Sequence, residues 1–163
     1  MTTIYQELAL RIRGEVPELE RVANRAQNAW LHASRASDDQ DIYLDSVALN
    51  IHSFYSGLER LFQLIARYVD CSSPESETWH RDLLYQISRN FLKIRPAVIN
   101  EDNAKTLDEF RRFRHLIRNV YTTNLVPEKM TGLISVLPEL CTRVNAELLA
   151  FASFLEELDR VTK

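Results

Sequence analysis

Glycine is scarce in this chain, with 3 in 163 residues, and proline is scarce too, with 5. A sandwich or barrel of short strands needs a turn about every ten residues, and the residues that make such turns are missing. The glycines stand isolated at Gly14, Gly57 and Gly132, so there is no Gly-rich phosphate loop. Cysteine is limited to Cys71 and Cys141, with no CxxC spacing and no histidine partner nearby. That usage excludes a disulfide framework or a zinc finger and leads us to expect a reduced, cytoplasmic chain. Neither HExxH nor a paired ExxH set occurs, so no metal and no cofactor is expected. No apolar run approaches the length of a membrane span, and Glu7, Arg11, Arg13 and Glu15 stand where a leader's apolar segment would be. Charge is balanced as well, 20 basic against 23 acidic residues and −3 net. With no global pull toward nucleic acid or anionic lipid, any basic site has to be local.

What the chain does have is helical periodicity over most of its length, and 45% hydrophobic residues to bury. Leu44, Val47, Ile51, Phe54, Leu58, Leu61 and Ile65 recur at steps of three and four, which lays one apolar stripe along a long helix. Leu133, Leu137, Leu140, Val144, Leu148, Phe151, Leu155 and Leu158 do the same in the last segment. A shorter series runs through Trp79, Leu83, Ile87, Phe91 and Ile94, with Arg95-Pro96 predicted to end it. The first segment offers Leu8, Ile12, Leu19, Val22, Ala26 and Trp30, and Gly14 and Pro17 should kink or split it.

The breaks fall at Ser37-Asp38-Asp39, whose side chains can cap, and at the polar loop of residues 71–76. Thr106 with Glu109 reads as a capping box that starts or restarts a helix ending near Tyr121. Pro127 suits the first position of the last helix, and Pro138 should bend it. The expected fold is all-α, an antiparallel (up-and-down) bundle of about five helices, formed by residues 1–163 as one domain.

Segment 110–121 (FRRFRHLIRNVY) is unlike the rest, because it concentrates Arg111, Arg112, Arg114, Arg118 and His115 in less than three turns. At roughly 100° per residue, Phe110, Phe113, Leu116, Ile117 and Val120 share one core-facing arc, with Arg114 and Tyr121 at its edge. Guanidinium groups bind phosphate through a planar fork, which makes this edge a candidate anion site. The plainer account is a basic helix face whose arginines snorkel and pair with Asp108, Glu109 or neighbouring acids. Beside the stripe of the second long helix runs a polar series, His52, Ser56, Glu59 and Gln63, with Tyr55 next to it. It could complete a site, or it could be the wet edge of an amphipathic helix. In Trp79-His80-Arg81-Asp82 the acid sits in a first turn, where the helix dipole favours it, and capping is the default role.

The blocks LNIHSFYSGLERLF (49–62), WHRDLL (79–84), RPAV (95–98) and FRHLIRNVY (113–121), with Asn124-Leu125, resemble the HepT-like branch of the HEPN superfamily. The resemblance covers about residues 44–130. It implies a helical bundle that forms a homodimer, the signature helices of two protomers meeting in one composite cleft. It implies a metal-independent endoribonuclease acting on RNA, a toxin whose partner is a nucleotidyltransferase-type antitoxin. The family motif is Arg, a polar residue, several positions, then His, a spacer and Tyr. Laid on this chain it makes Arg114, His115, the residue at 119, and Tyr121 the catalytic set, with Tyr121 as the adenylylation candidate. Arg111, Arg118, His80 and Arg81 are the accompanying RNA- or phosphate-binding candidates.

The chain departs from the motif where its histidine is expected, because Asn119 stands there. An amide is neither general acid nor general base near neutral pH, and losing that group removes on the order of 10²–10⁴ in rate. Either His115 or His80 has taken over, or the cleft binds RNA, a nucleotide or a partner without cutting, or the family tolerates Asn here. On an ideal helix Arg114 and Asn119 point roughly 140° apart, which favours a second chain contributing to the site.

Overall fold

A computed structural model describes residues 1–91, 93–119 and 127–163, with only the backbone at 118 and 119. The described residues form five α-helices, α1 (Ile4–Arg35), α2 (Gln40–Ile65), α3 (Trp79–Ile87), α4 (Glu101–Asn119) and α5 (Pro127–Thr162), with the connections between them. The architecture is the all-α bundle that the periodicities predict.

α1 runs antiparallel to both of its long neighbours. Against α5, Thr3 meets Asp159, Arg13 meets Glu156 and Gln27 meets the Ile134 carbonyl, the two numberings running in opposite directions. Against α2, His32 stacks on Tyr43, and the Gln40 side chain donates to the Ala33 carbonyl. Gly57 allows a close approach, since a Cβ there would lie 3.0 Å from Leu19 Cδ2. The buried face of α1 is largely alanine in its second half (Ala23, Ala26, Ala29, Ala33), which lets it lie close to both neighbours. All seven stripe residues predicted for α2 are buried, as are Leu133, Leu137, Leu140, Val144, Leu148, Phe151 and Leu155 of α5.

Four local expectations are corrected. α1 is not split at Gly14 and Pro17; it is one helix of 32 residues with Pro17 inside it. Packing against helices on two sides outweighs the proline's cost of about 3 kcal/mol. The turn before α2 carries no side-chain cap from Asp39, which instead adopts a left-handed backbone at φ 62°. Thr106 does not start a helix, because it lies inside α4 and returns a bond to the Asp102 carbonyl. The cap is Asn100, whose side-chain oxygen accepts from the Asn103 amide at 2.7 Å.

The fourth concerns the end of α3. That helix stops at Ile87, seven residues before Ile94, and Arg95 does not terminate it. Arg95 is instead wholly buried, forming a two-pronged pair with Asp70 (Nε to Oδ1 2.5 Å, Nη2 to Oδ2 2.7 Å). Its other donors reach the carbonyls of Arg89, Pro96 and Gln86, so all five N–H groups are used. Asp70 ends a π-helical turn, Ala66–Asp70, that prolongs α2. Gln86 of α3 also donates to Asp70, at 2.8 Å. The end of α2, the last turn of α3 and the connection of residues 88–100 are thus tied by one buried network.

Candidate functional site

α2, α3 and α4 converge around a polar cleft of about 540 Å³ lined by Glu77, Trp79, His80, Arg81, Arg111, Arg114 and His115, among others. α4 places Arg114 here for the reason its sequence implies. Phe110 and Phe113 are buried, Phe110 edge-on to Phe54 of α2, and Arg114 follows at the border of that apolar arc. α3 begins at Trp79 directly after the polar loop. Asp82 in its first turn accepts from the Ser76 and Thr78 hydroxyls at 2.9 and 3.0 Å. Those two bonds hold the Asp82 carboxyl below the ordinary aspartate range. With the start of the helix fastened in this way, His80 faces the cleft.

Beneath two of the lining residues, His80 and Arg114, lies Glu59 of α2, whose side chain is only 5% exposed and contacts both of them. Oε1 lies 3.2 Å from Arg114 Nη1, and Oε2 lies 2.8 Å from His80 Nδ1. Arg114 Nε donates in addition to the Ser56 hydroxyl at 2.9 Å. Arg114 Nη1 also comes within 3.5 Å of His80 Nδ1. The ring nitrogen cannot donate to Glu59 and accept from Arg114 at once. A carboxylate only accepts, so the shorter contact assigns the proton to Nδ1 and leaves the lone pair on Nε2. The Trp79 ring stacks on the His80 ring at 3.6 Å between centroids, which further restricts the imidazole.

The neighbouring charges are ordered too. Arg111 and Arg112 both bond Asp108, at 2.6 and 2.9 Å. Partial burial works against the charged form of Asp108, but these bonds and charges hold its carboxyl below the usual range. Tyr55 lies wholly buried on α2, and burial, with the Glu59 carboxylate adding to it, keeps its phenol protonated well above the ordinary range.

Among the candidates read from the sequence, Arg114, His115, Arg111, His80 and Arg81 therefore line one cleft, although His80 and Arg81 lie more than thirty residues from Arg114 in the chain. Arg114 is held inside it, whereas His115 and Arg81 are exposed. The side chains of Arg118 and Asn119, and all of Val120 and Tyr121, lie outside the described residues. The wet-edge account of the α2 polar series fails for Glu59, which is buried, and the residues the site gains are Glu59 and Ser56. Their sequence signal was the polar series of α2, which could complete a site or be an ordinary wet edge. Among the described residues no group of three His, Cys, Asp or Glu is arranged to hold a metal ion, and no helix is long and apolar enough to cross a membrane.

No curated protein and no solved structure matches the chain. A family model described as HepT-like protein matches residues 46–155, a span from the early turns of α2 to near the end of α5 that includes Ser56, Glu59, His80, Arg111 and Arg114. By that match the chain belongs to the HepT-like, HEPN-type family.

Proposed function

We propose that this HepT-like chain is a metal-independent endoribonuclease that cuts RNA in the cleft between α2, α3 and α4. One arrangement carries the reading: a buried carboxylate, Glu59, that holds a guanidinium and an imidazole side by side in a polar cleft. RNA cleavage without a metal needs a group to take the proton of a ribose 2′-hydroxyl and a cation to steady the phosphate as its charge grows. His80 Nε2 takes that proton while the 2′ oxygen bonds to phosphorus, the bond to the 5′ oxygen breaks, and the departing oxygen is protonated by solvent. Glu59 keeps the imidazole in the right tautomer and balances the charge it acquires. Arg114, fixed by Ser56 and Glu59, binds the scissile phosphate. His80 thereby fills the role that Asn119 cannot.

A second reading is favoured by Asn119 itself, namely a cleft that binds RNA, a nucleotide or a protein partner without cutting. The two separate on incubation of a total-tRNA pool with purified protein and chelator, using wild type, Arg114→Lys and Asn119→His. The ribonuclease reading expects wild type to cut and Arg114→Lys, which keeps the charge but loses the fork, to lose most of the activity. Cutting by Asn119→His alone would establish the binding reading.

The functional unit in this proposal is a homodimer joined along α4, and its partner is a nucleotidyltransferase-type antitoxin that adenylylates Tyr121. Light scattering is expected to give twice the chain mass. Intact mass after co-expression with an adjacent nucleotidyltransferase is expected to show one added AMP, lost in Tyr121→Phe. A stable monomer, or an unchanged mass, would overturn the corresponding part.

A further inference from the structure

Beside Trp79 a groove of about 420 Å³ is lined by Arg11 of α1, Arg60 and Gln63 of α2, Arg67 of the π-helical turn, and Ser73. Trp79 lines this groove and the cleft alike, so the two adjoin at that residue. Arg11 comes from outside the span of the family match. It lies 3.4 Å from Glu15, while among the described residues Arg60 and Arg67 have no salt-bridge partner. In a chain of net charge −3, three guanidinium groups from three elements gathered round one depression are a local departure from the general surface. The lining also has an apolar part, Leu64, Pro74, Leu83 and Trp79.

We propose that this groove is a second phosphate subsite, which takes the backbone of a single-stranded RNA segment continuing out of the cleft past Trp79. Guanidinium forks meet successive phosphates, and an aromatic and apolar lining receives bases whatever their sequence. RNA is favoured over an acidic protein surface because the groove adjoins, at Trp79, the cleft assigned to the scissile phosphate. The inference rests on the ribonuclease reading for its choice of ligand. The binding itself is measured apart from cleavage.

The test is fluorescence anisotropy with a labelled single-stranded 2′-O-methyl RNA, which has no free 2′-hydroxyl and stays intact on the wild-type protein. Binding is followed across a salt series for wild type and for Arg60→Gln/Arg67→Gln. Both positions are exposed, and circular dichroism checks that the fold is kept. Loss of two phosphate contacts is expected to make the slope of log K against log salt shallower by about 1.4. An unchanged slope and affinity would overturn the subsite and leave the groove to a protein partner. UMP competing as well as an oligonucleotide at equal phosphate concentration would make it a mononucleotide site and overturn the strand path. The two readings fail separately. If unmodified RNA is cut but the slope is unchanged, the subsite alone falls. If the slope shifts but nothing is cut, the subsite stands and the ribonuclease reading falls.

Discussion

His80→Ala is expected to lower metal-free RNA cleavage by about 10²–10⁴-fold, the range for loss of a general base, while His115→Ala stays close to wild type. The contrast follows from geometry. Both histidines line the same cleft, but His80 is partly buried, with its Nδ1 2.8 Å from a buried carboxylate and its ring stacked on Trp79, whereas His115 is exposed. Removing an imidazole that is partly exposed leaves Glu59 still paired with Arg114, so the fold is expected to survive. Added imidazole should restore part of the lost rate in His80→Ala, a rescue that a purely structural role would not show. If His115→Ala carries the large loss and His80→Ala is active, the roles of the two residues are reversed.

The largest effect on stability is expected at Asp70. Removing one partner of a buried ion pair costs about 3–5 kcal/mol, and Asp70→Ala leaves Arg95 charged with both side chains wholly inaccessible. For a domain of this size each kcal/mol moves Tm by roughly 2–4 °C, so a fall of about 6–20 °C is expected by thermal denaturation. The double variant Asp70→Leu/Arg95→Met should recover part of that loss, since apolar replacement of a buried pair is often tolerated. Recovery stays incomplete because the carbonyls of Gln86, Arg89 and Pro96 lose their donors. A single variant within 1 kcal/mol of wild type would show that the pair contributes little.

The long helices were legible because each repeats one pattern for many turns and hides it against a neighbour. The stripes of α2 and α5 needed no tertiary information. The misreadings came where a local signal met a distant partner. Pro17 reads as a breaker, yet α1 has α2 and α5 along it. Arg95-Pro96 reads as a helix end, yet Arg95 is there to meet Asp70, 25 positions earlier. The site divides in the same way. Arg114 and Arg111 stood out as an arginine excess on one helix, and His80 as part of a polar cluster. Glu59 stood in a polar series that could complete a site or be a wet edge, because a glutamate beside an apolar stripe looks solvated until α3 and α4 close over it.

α3 has nine residues, too few to persist as a helix alone. It is held at its start by Ser76 and Thr78 on Asp82, and at its end by Gln86 on Asp70 and on the Ser72 carbonyl. His80 rides on this short element, so the fraction of molecules with a complete cleft is the fraction in which α3 is docked. That fraction is an equilibrium between closed and locally opened forms, separate from global unfolding. Any change that loosens the Asp70 network scales the apparent activity by the docked population, with no alteration at the reacting atoms. Under the proposed function, cleavage in the cleft is thereby coupled to a charge pair buried at the other end of its smallest helix.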